Sequence, residues 1–451
     1  MEPVTFITEP LLHPDFVQFE SFVPILERLR NDFDVAVAAP AITPQVRVAL
    51  EQHGIRSIGG GVWFPRIRRS RDEIPSYVIS WTRDTLWGGN RRTIERVLAG
   101  RDGLRVNVSM TVACDADIWK IQSRPLGLAL EAIRASTRLS IRAGIAMVQP
   151  VVGPLDVRHL RQIATRSRLR YTNSRHVGDW FEAHRISVEG VIPSYYRPVY
   201  RPSTGTPSRD YLLVYVGKET DATALRLLLD TGIPVRLFGS KSPGWVMSMV
   251  RPERYGNVRV IGRCTDEELR ELYTNARFTA FPFTEESFGL VPVESMACGT
   301  PVLTYGIQGP ADTVLDGKTG WFVRSPEEFA RRASELWKQG YGSEMPGQCL
   351  ARAQVYHLDA VVALWRRLIW DALRSRDDRS PAADGRTVSA PTPDGAPKTS
   401  SGPAGLSRDD LAPEPSASPS VVDWEGDPGH APVEASPRLS KSRIKDATAE
   451  P

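Results

Sequence analysis

Short apolar runs alternate with segments of helical periodicity along most of the chain. Such alternation is typical of parallel sheets whose strands are joined by crossover helices. The stretch 195–210, rich in Pro, Ser and Thr, separates two groups of runs and predicts a linker between two α/β units. The runs predict strands at residues 4–8, 34–39, 104–110, 170–173, 188–192, 212–216, 235–238, 258–261, 278–283 and 301–304.

Helix signals are clearest in the second half of the chain. Thr265 and Glu268 have the spacing of a capping box, and Ser325 precedes a helical proline in a similar arrangement. Further on, apolar residues recur at intervals of three and four, which predicts a helix that packs one face against a domain already formed. These residues are Leu358, Val361, Val362, Trp365, Leu368, Ile369 and Ala372.

Composition changes near residue 376, where Pro, Ser, Ala and Gly replace the periodic apolar residues. Such a segment cannot bury enough surface to offset chain entropy, so we predict a disordered tail over 376–451.

The net charge of +4 gives no case for nucleic acid binding, and the four cysteines form no CxxC pair. Without a signal-peptide pattern or a long apolar run, we expect a cytoplasmic protein, with peripheral contact at the inner membrane surface left open.

The chemistry concentrates in residues 278–323. An apolar strand leads into a polar loop, and a helix begins near Pro292, which is the kind of place where open α/β sheets bind ligands. A helix start attracts a diphosphate, and Gly289 lets backbone approach a ligand closely. Glu286 and Glu294 stand eight positions apart, and a carboxylate can accept two hydrogen bonds from a vicinal diol.

The run from Glu286 to Glu294, followed by Ser-Met-Ala-Cys-Gly-Thr-Pro-Val, resembles the E-x7-E signature of retaining GT-B glycosyltransferases of the family-4 type. The stretches 262–273 and 306–321 resemble the neighbouring parts of that family, and 171–202 does so more weakly. The resemblance implies an α/β fold of two Rossmann-like domains that face each other across a cleft. It also implies transfer of a sugar from a nucleotide-diphosphate donor to an acceptor hydroxyl, with retained anomeric configuration and without a metal or other cofactor.

The resemblance assigns roles to individual residues. Glu294 would bind the ribose hydroxyls, and Glu286 would act beside the donor sugar. Backbone groups would contact sugar and phosphate, and a preceding loop would lie at the base. These further donor-binding candidates are Phe288, Gly289, Leu290, Gly262 and Arg263.

The family's diphosphate clamp consists of a basic residue after a strand-end glycine and a lysine a few residues on. Gly217 and Lys218 supply the first part, so Lys218 joins Glu286 as a predicted catalytic residue. The following ETDATA contains no second base, and Lys241 is the candidate to replace it.

The N-terminal part departs from the family, which often opens with a Gly-Gly loop where this chain has Glu9-Pro-Leu-Leu-His13. Acceptor-side residues therefore cannot be assigned by motif. Candidates just after predicted strands are His13, Asp115, Asp117, Trp119 and Gln122. Asp115-Ala-Asp117 also resembles a metal motif of another glycosyltransferase fold, but short Asp pairs at strand ends are frequent, and we predict no metal site. Gly317-Lys318-Thr319 lacks the upstream glycine of a P-loop and predicts a turn.

We thus predict an acceptor domain over 1–200, a donor domain over 201–345 and a returning helix over 346–375. The expected partners are a nucleotide sugar and an acceptor such as a glycan, a lipid-linked glycan or a small metabolite, with no nucleic acid. Two alternatives stay open. One is a non-catalytic protein that binds a nucleotide sugar, which the missing second lysine favours, and the other is a nucleotide-sugar epimerase.

Overall fold

The structure is a computed structural model that describes residues 1–14, 17–61, 73–123, 139–217, 219–239, 247–248, 250–262 and 264–377. The predicted tail lies outside the described residues from residue 378 onward. Among the residues described, none of the helices is long and apolar enough to cross a membrane.

The first half of the chain forms a parallel sheet of seven strands in the order β3-β2-β1-β4-β5-β6-β7. Its strands are β1 Glu2–Ile7, β2 Phe33–Ala39, β3 Arg56–Gly59, β4 Leu104–Asn107, β5 Ala116–Lys120, β6 Ser167–Thr172 and β7 Gly190–Val191. Its helices are α1 Val17–Leu29, α2 Pro44–Gln52, α3 Glu73–Trp87, α4 Gly89–Val97, α5 Leu139–Thr165 and α6 Arg175–Ala183. Strand β2 is an almost continuous apolar run because helices cover both faces of the sheet.

The second half forms a parallel sheet of six strands in the order β10-β9-β8-β11-β12-β13. Its strands are β8 Leu212–Tyr215, β9 Val235–Phe238, β10 Val258–Gly262, β11 Thr279–Phe281, β12 Val302–Tyr305 and β13 Gly320–Val323. Its helices are α7 Ala222–Asp230, α8 Asp266–Asn275, α9 Leu290–Ala297, α10 Pro310–Thr313, α11 Pro326–Gln339 and α12 Met345–Gln354, and a 3₁₀ turn covers Pro252–Arg254.

Each predicted strand has a counterpart, and the α/β class with two parallel sheets is confirmed. The capping box at Thr265 is also present, with both reciprocal hydrogen bonds formed. Three strands were missed: β3, β5 and β13. Strand β5 reads ADIWK, and its charged residues Asp117 and Lys120 weaken the local strand signal, so the strand depends on pairing with both neighbours.

The last described helix, α13 Leu358–Asp377, returns to the first sheet. Its apolar stripe belongs to the same buried cluster as β1, β2, β4 and α1, and the rings of Trp365 and Phe6 meet edge to face at 5.8 Å. Helix α12 instead packs in the core of the second sheet through Cys349 and Ala353.

Each sheet reverses its strand order at one point, between β1 and β4 in the first and between β8 and β11 in the second. At such a switch point the connections leave to opposite sides and open a crevice beyond the carboxyl ends of the strands. The loops after these four strands are therefore the places where the fold favours ligand binding.

Candidate functional site

The candidate site lies at the switch point of the second sheet, in the loops that follow β8 and β11. Phe283, just after β11, forms a β-bridge with Thr220 from the loop after β8. The ring of Phe283 stacks on Tyr215 with centroids 5.3 Å apart. These contacts join the two loops and fix the polar residues that come next.

Glu286 lies in a loop held by backbone contacts from a second loop. The amide of Glu286 donates to the side-chain oxygen of Gln308, and the amide of Gly309 donates to the carbonyl of Glu286 at 3.0 Å. A Cβ on Gly309 would lie 2.4 Å from the backbone nitrogen of Phe288, so only glycine allows this close approach. The Glu286 carboxylate is half-buried and accepts the Phe288 amide at 3.2 Å.

Helix α9 begins directly after this loop. Gly289 precedes it with a φ of 92°, in the left-handed region that favours glycine, and no side chain caps the helix start. The first turn of a helix has backbone amides without intrahelical partners and the positive end of the helix dipole. Glu286 and the opening of α9 thus place a carboxylate and an anion-attracting helix start side by side.

Glu294 lies on the same helix and is half-buried. It accepts a hydrogen bond from the Tyr273 hydroxyl at 3.1 Å. Burial raises the pKa of Glu294 to about 7, and the charge of Arg197 together with the Tyr273 bond opposes that rise. Arg197 comes from the segment between the sheets and forms an ion pair with Asp266 at 2.5 Å. A linker arginine therefore helps to keep the Glu294 carboxylate ionised.

Tyr215 is influenced by the charges of both glutamates and was missed in the sequence. It ends β8, and its pKa is raised to about 12 by burial and by the charges of Glu286, Glu219 and Glu294. The charges of both predicted glutamates thus raise the pKa of the same hydroxyl. No motif marked this tyrosine, which lies two positions before the strand-end glycine Gly217.

The remaining predicted site residues fall into two groups. The first group lies within the described residues. Phe288 is buried against Tyr356, and Leu290 is exposed at the start of α9. The Gly217 amide donates to the side-chain hydroxyl of Thr220. Gly262 ends β10 with a φ of 75° and open space around it. The three basic candidates, Lys218, Lys241 and Arg263, lie outside the described residues.

The two halves of the chain meet beside this site, a contact that the sequence did not predict. The hydroxyl of Ser174, at the start of α6, donates to the carbonyl of Ser287 at 2.6 Å. The next residue, Arg175, forms an ion pair with Asp312 at 2.8 Å, and its amide donates to the same carboxylate. The loop that holds Glu286 is thus bonded directly to a helix of the first sheet.

The switch point of the first sheet contains a buried carboxylate, Glu9, directly after β1. Its oxygens accept hydrogen bonds from the hydroxyls of Ser80, Ser109 and Thr111 and from the amides of Met110 and Thr111. Burial raises the pKa of Glu9, and these bonds oppose the rise. These hydrogen bonds fix the loop after β4 against the end of β1. The chain therefore has a buried hydrogen-bond network where the resembled family often has a Gly-Gly loop.

Of the five acceptor-side candidates, two lie in loops after strands, as predicted, and three do not. His13 is half-buried in the loop after β1, and Gln122 follows β5, where its carbonyl accepts the Asn173 amide. The placement of the other three was wrong, because strand β5 had been missed. Asp117 and Trp119 lie within β5, and Asp115 lies at its amino end.

These three side chains have structural partners. Trp119 is fully buried, and its indole donates to the carbonyl of Ser109. Asp117 accepts the Arg105 amide at 2.9 Å, and Asp115 pairs with Arg166 at 2.8 Å. Since the strands are parallel, Asp115 and Asp117 lie toward the edge opposite the crevice. Across the part of the chain that the structure describes, no cluster of three or more His, Cys, Asp or Glu residues could hold a metal ion.

Comparison with known proteins agrees with this architecture. The family model described as "Glycosyl transferases group 1" matches residues 253–354, which include the loop at Glu286 and helix α9. The C-terminal domain is a group 1 glycosyltransferase domain on a GT-B fold. The resemblance seen in the sequence is thereby confirmed.

The relatives of this chain include two proteins named D-inositol 3-phosphate glycosyltransferase. The protein from Acidothermus cellulolyticus is 36% identical over 265 residues, which cover 50% of this chain and 57% of that protein. The protein from Nocardiopsis dassonvillei is 35% identical over 148 residues, or 28% of this chain and 34% of that protein. The chain thus matches between a third and just over half of the length of these curated relatives.

A solved structure extends the likeness to the whole described fold. The crystal structure of Anabaena HepE in complex with UDP has a TM-score of 0.56 and 14% sequence identity, and the match covers 83% of this chain and all of HepE. At that identity the likeness shows the GT-B fold alone.

Proposed function

We propose that this group 1 protein is a glycosyltransferase that moves a sugar from a nucleotide-diphosphate donor to an acceptor hydroxyl. The main support for this proposal is the arrangement of side chains at the switch point between β8 and β11. Glu286 lies just before the uncapped start of α9 and Glu294 lies on that helix, both are half-buried, and the charges of both raise the pKa of Tyr215.

Donor binding follows from the chemistry of these groups. Glu294, kept ionised with help from Arg197, suits the two hydroxyls of a ribose. The opening of α9 suits the diphosphate, which needs amide donors and positive potential. Glu286 lies on the other side of that opening and suits the hydroxyls of the donor sugar. We assign Lys218 to the diphosphate as well, with Lys241 as the second base and Gly262 and Arg263 at the nucleoside base.

In the transfer, the acceptor oxygen forms a bond to the anomeric carbon while the bond from that carbon to the diphosphate breaks, and the acceptor proton passes to the leaving diphosphate. The negative charge that develops on the leaving diphosphate is stabilised by the α9 amides and the basic residues. Retention of configuration is our expectation from the family resemblance. We expect the loops after β1, β4 and β5 of the first sheet to orient the acceptor.

The comparisons suggest which substrates to test first. HepE binds UDP in its crystal structure, so UDP-sugars come first and GDP- and ADP-sugars next. Two relatives are named for D-inositol 3-phosphate, so this compound is the first acceptor to test. We propose both as starting points for the whole protein's substrates.

The decisive experiment measures donor affinity by calorimetry in the unaltered chain and in Glu294→Ala. We expect the variant to bind about 100-fold more weakly, since two hydrogen bonds to a charged acceptor are lost. Glu267→Ala is the matched control, because Glu267 is an exposed glutamate on the neighbouring helix α8. Unchanged donor affinity in Glu294→Ala would remove the basis of the proposal.

The products separate the proposal from its alternatives. Incubation with donor and D-inositol 3-phosphate should give a glycosylated acceptor, and nuclear magnetic resonance of its anomeric proton reports the configuration. Donor binding with no turnover on any acceptor would favour a non-catalytic nucleotide-sugar-binding protein. Release of an altered free or nucleotide-bound sugar without an acceptor product would favour an epimerase.

A further inference from the structure

Gln308, in the loop after β12, has a backbone conformation that is rare for a residue with a side chain. Its φ is 66°, in the left-handed region, where a Cβ crowds the backbone and glycine does not. Three other non-glycine residues in the described part of the chain share such a φ, namely Arg185, Arg209 and Arg251. These arginines are exposed or half-buried, whereas Gln308 is only 8% exposed. Strain at a buried position persists where its surroundings enforce it, which is common at ligand-binding sites.

The side chain of Gln308 is anchored at one end. Its Oε1 accepts a hydrogen bond from the amide of Glu286, and the carbonyl of Glu286 accepts one from the amide of Gly309. The loops after β11 and β12 are therefore bonded in both directions. Because the Glu286 amide can only donate, the atom of Gln308 that it contacts is the oxygen, and Nε2 is the other end of the same side chain.

The NH2 group at that other end is a buried hydrogen-bond donor. Among the residues that the structure describes, Nε2 of Gln308 has no hydrogen-bond partner. An unpaired buried donor costs free energy, so folded proteins seldom keep one without a reason. Strands β11 and β12 are parallel neighbours, so the loops that follow them lie at the same edge of the sheet, where the crevice opens. The adjacent Ile307 is 54% exposed, which places this loop at the surface of the domain.

We propose that Gln308 is a donor-binding residue whose Nε2 donates a hydrogen bond to a hydroxyl oxygen of the transferred sugar. The sugar is a better partner than the diphosphate, because Oε1 of the same amide is bonded to Glu286, which the proposed function places beside the sugar. A side chain that is already fixed at one end loses little freedom when a ligand binds to the other. The inference rests on the proposed function and deepens it, because it adds a residue that recognises the sugar.

The test compares Gln308→Gly and Gln308→Glu with the unaltered chain by calorimetry. The probes are UDP-glucose, UDP-N-acetylglucosamine, GDP-mannose and ADP-glucose, followed by the nucleoside diphosphate of the one that the unaltered chain binds most tightly. Glycine removes the side chain and tolerates the φ, whereas glutamate keeps an acceptor for the Glu286 amide and removes the NH2 group. We expect both variants to bind the nucleotide sugar at least about tenfold more weakly and the nucleoside diphosphate within about twofold of the unaltered chain.

Arg185→Gly is the matched control, since it removes an exposed side chain at a φ of 58° in the first half of the chain. It should bind both ligands like the unaltered chain. Gln308→Gly should melt near the temperature of the unaltered chain, because relief of strain opposes loss of the bond to Glu286. If it melts much lower, Gln308→Glu decides. Unchanged nucleotide-sugar affinity in Gln308→Glu, or an equal loss for both ligands, would overturn the proposal.

Glu294→Ala, titrated alongside, separates this proposal from the function on which it rests. A loss of affinity in Glu294→Ala without a loss in the Gln308 variants would show that the role of Gln308 alone is wrong. Unchanged affinity in Glu294→Ala, or no binding of any of the four nucleotide sugars, would instead remove the proposed function and this inference with it.

Discussion

The two switch points place carboxylates in opposite situations. Glu9, at the first sheet, is buried and accepts hydrogen bonds from three hydroxyls and two amides, which fill the acceptor positions of a carboxylate. Glu294, at the second sheet, is half-buried and accepts one hydrogen bond, from Tyr273, among the described residues. The difference indicates that Glu9 stabilises the fold, whereas the carboxylate of Glu294 has the acceptor positions that the proposed function assigns to a ligand.

The largest effect that tests this contrast is on stability. Glu9→Ala leaves buried amides and hydroxyls without an acceptor, at a cost of about 1–3 kcal/mol for each unpaired group. We expect the free energy of unfolding, measured by urea denaturation, to fall by about 4 kcal/mol in total. Glu51→Ala, at an exposed glutamate of α2, is the control and should unfold like the unaltered chain. A loss as small as that of the control would show that Glu9 does not hold the two loops together.

A second prediction concerns the contact between the domains. Arg175→Gln removes the ion pair to Asp312 beside the Glu286 loop but leaves donor-binding groups untouched. We expect kcat to fall about tenfold, because the two substrates are no longer held in line, while donor affinity stays the same.

Arg166→Gln is the control for that variant, since Arg166 pairs with Asp115 away from the domain contact. It should change neither quantity. A loss of donor affinity in Arg175→Gln, or equal kcat in both variants, would contradict a positioning role for the Arg175–Asp312 pair.

The smallest effects follow from pH. Burial raises the pKa of Glu294 from 4.5 to about 7, so its ionised form grows as pH rises through about 7. We expect donor affinity to increase by several-fold over that range and the dependence to vanish in Glu294→Gln. The raised pKa has the opposite effect on folding: it stabilises the protein below pH 4.5, and this contribution is lost as pH rises toward about 7.

Glu294→Gln should therefore melt at a higher temperature than the unaltered chain above pH 7. Calorimetric titrations and melting curves at several pH values test both statements. Donor affinity that stays flat across neutral pH would show that the Glu294 carboxylate does not contact the donor.

Sequence patterns predicted the second sheet better than the first. Apolar strands, capping residues and the spacing of Glu286 and Glu294 are local signals, and they were enough to place the loop and helix of the candidate site. Strand β5 was missed because its five residues ADIWK include the charged Asp117 and Lys120, and only pairing with β4 and β6 reveals it. That omission misplaced Asp115, Asp117 and Trp119.

Long-range contacts explain the other omissions. Tyr215 was overlooked because its importance comes from two glutamates that are distant in sequence. Ser174 bonds to Ser287 and Arg175 to Asp312 across the domain contact, each pair more than a hundred residues apart. Glu9 likewise gains its role from a loop about one hundred residues later. Such groupings depend on tertiary packing, which hydrophobic periodicity does not encode.

A crystal structure of the protein with a bound nucleotide sugar tests the central claim most directly. We predict that the ribose hydroxyls lie within hydrogen-bonding distance of Glu294, with the diphosphate at the first turn of α9 and the sugar beside Glu286. A donor bound elsewhere, with the crevice between β8 and β11 empty, would contradict the account.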